Sequence, residues 1–68
     1  MSQKSTIKSL RQMISAAEAS IARDQQDAHM HWEAGCSEVS DMYRDRAERT
    51  RDNVLRWERA IVLLGGAA

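Results

Sequence analysis

Five side chains able to hold a metal or move a proton fall between residues 29 and 38: His29, His31, Glu33, Cys36 and Glu38. Their types suit a zinc site or a thiol–imidazole pair, but their spacing suits neither. On an α-helix His29 and His31 stand about 200° apart, whereas two histidines that chelate one ion from a helix stand at i, i+4. With two His and one Cys in the chain, a closed site of four nitrogen and sulfur ligands also falls short. Cys36 beside a histidine has the elements of a nucleophile and its base. It lies in a turn, however, where nothing in the sequence implies a concave pocket or oxyanion donors. These residues therefore point to no catalytic group, no metal and no cofactor. Asp27–His31 and His29–Glu33 instead have the spacing of exposed i, i+4 pairs.

Arginine is the other conspicuous residue type. Arg44, Arg46, Arg49, Arg51, Arg56 and Arg59 give the second half of the chain a basic look. Asp45, Glu48, Asp52 and Glu58 are interleaved with them, placing Asp45–Arg49 and Asp52–Arg56 at i, i+4 and Glu48–Arg51 at i, i+3. Residues 42–68 keep a surplus of two positive charges, less than a surface that tracks phosphates needs.

The elements that position these side chains follow from glycine and from apolar spacing. The chain has 68 residues, no proline and three glycines. Nothing breaks it before Gly35-Cys36-Ser37, where Gly35 suits the left-handed position just past a helix end. Ser37 is placed to cap the following helix, and Glu38 and Asp41 favour its positive end. The spacing predicts an all-α chain of one domain over residues 1–68. It comprises a helix at 4–34, a turn at 35–37 and a helix at 38–64, ended by Gly65-Gly66.

A heptad seam runs through Ile7, Leu10, Ile14, Ala17 and Ile21, then less cleanly through Asp24, Ala28 and His31. The second helix offers Tyr43, Ala47, Thr50, Val54, Trp57, Ile61 and Leu64 at alternating steps of four and three. Folding the chain at the turn pairs Ile7 with Leu64, Leu10 with Ile61, Ile14 with Trp57 and Ala17 with Val54. Ile21 then meets Thr50, Asp24 meets Ala47, Ala28 meets Tyr43 and Trp32 meets Val39. The result is an antiparallel, coiled-coil-like two-helix hairpin. One seam leaves Met13, Leu55, Val62 and Leu63 without cover, so the expected remedy is a homodimer forming a four-helix bundle. Ile7, Leu10, Ile14, Val54, Trp57, Ile61 and Leu64 are expected to build the fold and the dimer.

Composition narrows function mainly by exclusion. One cysteine cannot form an internal disulfide. Ten Lys+Arg against ten Asp+Glu give a net charge of zero, which argues against a general nucleic-acid binder. The start, Met1-Ser2-Gln3-Lys4-Ser5-Thr6, carries no apolar run of the kind a secretory signal has. The one apolar run, Ala60-Ile61-Val62-Leu63-Leu64, is far shorter than a membrane span. The expectation is a cytoplasmic protein with no membrane partner. Charge is nonetheless segregated: residues 1–17 carry +3 and residues 18–41 carry −5. The turn end is thus acidic and also holds Met30, Trp32, Met42 and Tyr43, a combination suited to docking a basic protein patch. The partner-binding candidates are Asp27, Glu33, Glu38, Asp41 and Tyr43 at this end, with Arg44 and Arg51 on the Arg face.

With its Ile7-Lys8-Ser9-Leu10-Arg11 opening, its single hairpin and its Trp57-Glu58-Arg59-Ala60-Ile61 close, the chain resembles the small all-helical accessory proteins of temperate bacteriophages. That resemblance implies a non-catalytic protein that binds and disables or redirects a larger host protein or complex in the host cytoplasm. Such a target would be a CRISPR complex or other defence factor, a regulator or a motor. Two other functions stand beside it: a dimer binding nucleic acid or nucleotide through the Arg face, and a structural coiled-coil assembly subunit.

Overall fold

A computed structural model describes residues 3–66; residues 1–2 and 67–68, which the expected single domain over 1–68 includes, lie outside the described residues. Two helices, α1 (Gln3–Glu33) and α2 (Ser37–Leu63), pack against each other as a hairpin. Among the described residues there is no strand. The rod measures 49 × 17 × 14 Å with a radius of gyration of 15.1 Å, where a compact chain of this length would give about 11 Å.

Both helices end in the same way. Cys36 N–H donates to the His31 carbonyl at 2.8 Å and Gly35 N–H to the Trp32 carbonyl at 3.1 Å. Gly66 and Gly65 repeat the pattern onto Ile61 and Val62 at 2.9 and 3.0 Å. These paired bonds satisfy carbonyls that a helix end leaves open, and they require a left-handed residue, supplied by Gly35 (φ 83°) and Gly65 (φ 87°). A Cβ built on Gly35 would meet nothing within 4 Å, so substitution there is penalised by the backbone alone. Gly35→Ala is expected to destabilise the chain by about 1–2 kcal/mol and Gly35→Asn by less, measured by urea unfolding.

The cap of α2 differs from expectation. Cys36, not Ser37, occupies the N-cap, and it makes no side-chain cap hydrogen bond. Ser37 is already the first helical residue, so its hydroxyl is one position too late to serve the free N–H groups. Ser40 N–H bonds the Cys36 carbonyl at 3.0 Å, closing the first turn through the backbone.

The seam is thinner than its list of large side chains implies. Its buried apolar residues are Ala17, Ala28, Ala47, Val54 and Ile61, joined by Asp24 and Ser40. Of the seven residues expected to build the fold, Val54 and Ile61 are buried, while Ile7, Leu10, Ile14, Trp57 and Leu64 are half-buried. One pairing fails outright: Trp32 and Val39 are both exposed. The residue that belongs there is Ser40, fully buried, whose hydroxyl donates to the Ala28 carbonyl at 2.7 Å. Ser40, Ala47, Val54 and Ile61 form an unbroken i, i+7 row. Small side chains at 28, 40 and 47 draw the helices together near the turn, leaving no room for an indole between them.

Candidate functional site

Asp24 is 2 % exposed, and a carboxylate so placed needs a partner. The partner is Arg46 on α2, which grips it with both arms of its guanidinium. Nε donates to Oδ2 at 3.0 Å and Nη2 to Oδ1 at 2.6 Å. These hydrogen bonds, and then the charges of Arg46 and Arg23, hold the Asp24 carboxyl below its ordinary value of 3.8 despite the opposing effect of desolvation. The same bonds raise Arg46 above the usual guanidinium value. Bidentate geometry of this kind fixes register as well as contributing attraction, here locking position 24 of α1 level with position 46 of α2.

Arg46 also begins a stack toward the turn. Its guanidinium carbon lies 5.1 Å from the Tyr43 ring centroid. Tyr43 in turn stacks on His31 across the helices, with centroids 5.4 Å apart and planes 7° from parallel. A second cation–aromatic contact sets Arg44 over Trp32 at 5.8 Å; exposed contacts of this type contribute about 0.5–1 kcal/mol each. Trp32 remains 56 % exposed, and Met30, Val39 and Met42 at the same end of the rod are exposed too. The turn end therefore presents an indole pinned by an arginine, together with other exposed apolar side chains. Buried, water-excluding Trp and Arg anchors dominate binding energy at protein interfaces.

The acidic candidates distribute around this feature without converging. Glu33, Glu38 and Asp41 are exposed and Asp27 is half-buried. Glu33 meets His29 at 3.1 Å. Among the described residues no three of His, Cys, Asp and Glu come together as metal ligands. Tyr43 is half-buried in the stack, Arg44 lies over Trp32, and Arg51 borders a shallow hollow with Glu18, Ile21 and Val54. Arg46 was legible as one arginine of a face; only its reach back to Asp24 separates it from the others. The chemical signal was Asp24 itself, an acid at a seam position of an otherwise apolar heptad.

Folding also changes the electrostatics of the turn end. The −5 of residues 18–41 is partly answered by arginines that α2 returns to the same half of the rod. Residues 18–51 carry eight acids and five arginines, net −3, while residues 3–17 and 52–66 together carry +3. The depressions on the surface are open. One of them near the turn runs along α2, between Val39 and Met42 on one side and Arg46 and Arg49 on the other. Such an open groove fits a side chain or a helix of another macromolecule better than an enclosed small molecule. Among the described residues no helix is long and apolar enough to cross a membrane. No protein-family model, curated protein or solved structure matches this chain.

Proposed function

We propose that the protein is a non-catalytic interaction module that docks its turn end on a larger protein or complex and thereby inhibits or redirects it. The observation that supports this most is the exposed Trp32, held under Arg44 at the end of the rod that also exposes Met30, Val39, Met42, Glu33, Glu38 and Asp41. Acidic charge would steer a basic partner to this end and the indole would anchor it. A takeover or anti-defence protein of a temperate phage, acting on a host factor, is the biological setting that the sequence resemblance implies for such a module.

Dimerisation into a four-helix bundle completes the proposal. The chain exposes 5294 Å², whereas a folded protein of its mass exposes about 4,300 Å². The excess, about 1,000 Å², is close to the roughly 800 Å² that each partner contributes to a standard interface.

The test is affinity capture from nuclease-treated host lysate with the native chain and two variants, Trp32→Ala and the pair Glu38→Lys, Asp41→Lys. A stoichiometric protein captured by the native chain and reduced at least about tenfold by each variant, with helicity unchanged, is the expected result. Equal capture by all three removes the turn end as the docking surface. Loss of every partner on nuclease treatment, with steep salt dependence, would instead favour nucleic acid on the Arg face. Recovery of the protein alone would favour a structural assembly subunit.

A further inference from the structure

The half of the rod that holds both chain ends has an uncovered apolar strip of its own. Leu55 is 59 % exposed and Val62 51 % exposed. They stand one heptad apart on α2, about 10 Å at 1.5 Å per residue, and Arg56, Glu58 and Arg59 line a shallow hollow with them. Leu55 follows Arg51 by one turn, and Arg51 adjoins Glu18 and Ala22 of α1. The heptads of α1 fix what else lies on that flank: Lys4 and Arg11 share the row of Glu18, and Lys8 shares the row of Ala22. With Asp24 level with Arg46, Val62 stands beside Lys8 and Leu55 beside Ser15.

The charge around this strip is positive. Lys4, Lys8, Arg11, Arg56 and Arg59 stand against Asp52 and Glu58, net +3, and α1 has no acid before Glu18. Two apolar side chains one heptad apart match the interval of an apolar stripe on another helix. The cations beside them favour a stripe flanked by acids. A second copy does not supply that charge. Set parallel, it brings the same basic half. Set head to tail about the strip, it brings residues 18–26 and 44–52, which hold five acids and five arginines. Phosphates would answer the cations but leave Leu55 and Val62 in water.

We infer that the Leu55–Val62 strip is a second docking surface, one that seats an acidic amphipathic helix of a partner protein. The inference is independent of docking at the turn end and leaves the dimer proposed above to other surfaces of the rod. With both ends occupied, the rod joins a basic partner at its turn to an acidic one near its chain ends.

The probe is a stapled helical peptide of about 14 residues, roughly 21 Å long, with a leucine stripe flanked by glutamates. A second peptide carries lysine in place of each glutamate. Fluorescence anisotropy gives the affinities, and amide chemical shifts of the isotope-labelled chain locate the contact. The glutamate peptide is expected to bind at least about tenfold tighter than the lysine peptide, with shifts centred on Leu55, Arg59 and Val62. The pair Lys8→Glu, Arg59→Glu should weaken it at least about tenfold with helicity unchanged, whereas Trp32→Ala at the far end should leave it unaltered. Equal affinity of the two peptides, shifts confined to the turn end, or no binding at millimolar concentration overturns the inference. None of these touches capture of a partner through Trp32. A dimer that Leu55→Ser, Val62→Ser converts to a monomer would assign the strip to a second copy instead. A duplex oligonucleotide that displaces the peptide would assign it to nucleic acid.

Discussion

Arg46→Ala is expected to reverse the sign of the pH dependence that Asp24 contributes to stability. In the native chain the folded-state value of Asp24 lies below its ordinary 3.8. Its contribution is complete above that ordinary value and is lost as pH falls through the lower folded value. Without Arg46 the same carboxylate is stranded among buried neighbours with no cation gripping it, and the neutral acid becomes the favoured form. Its folded value then lies above the unfolded one, the native state binds more protons, and its contribution falls as pH rises. Thermal unfolding followed at 222 nm between about pH 3 and pH 6 should therefore show opposite changes in slope for the two proteins, the other carboxylates being common to both. The double replacement Asp24→Leu, Arg46→Met should remove the Asp24 slope and recover stability, because neither charge is left buried alone. A single variant that keeps the native slope would show that the pair does not form in solution.

The second large effect is expected at Ile61. It is 3 % exposed, its Cγ2 lies against Gly66, and its carbonyl accepts the bonds from Leu64 and Gly66 that end α2. Ile61→Ala removes buried atoms from one of the two large aliphatic residues that are buried in the seam among the described residues, with an expected loss of about 2–5 kcal/mol. For a chain of this size that corresponds to a fall in thermal midpoint of about 10–30 °C. Leu63→Ala, two residues away on an 80 % exposed side chain, should change stability by less than about 0.5 kcal/mol. Equal effects at the two positions would contradict the orientation of α2 described here.

The difference between Ile61 and Leu63 was legible in the sequence. Heptad spacing places Ile61 in line with Val54 and Ala47, and a helix repeats its faces with a fixed period whatever it packs against. The turn was legible for a comparable reason, since a left-handed helix terminus selects glycine and only one internal glycine is present. Ser40 was less legible. It shares the row of Ala47, Val54 and Ile61, yet hydrophobicity favoured its neighbour Val39, and the competition is decided by how closely the backbones approach. That approach is a property of the pair of helices, set by Ala28, Ser40 and Ala47 together.

The sequence by itself determined the two helices, their turn, the antiparallel seam and the separation of charge along the chain, because all of these depend on local spacing and backbone conformation. The tertiary structure alone decided which arginine is bound to the buried Asp24, which aromatic enters the stack with His31 and which remains open to solvent. Those choices depend on distances between residues more than ten apart, across helices whose separation and register are set only when they pack. An arginine four bonds from the backbone reaches either water or a neighbouring helix, and no periodicity in its own helix distinguishes the two.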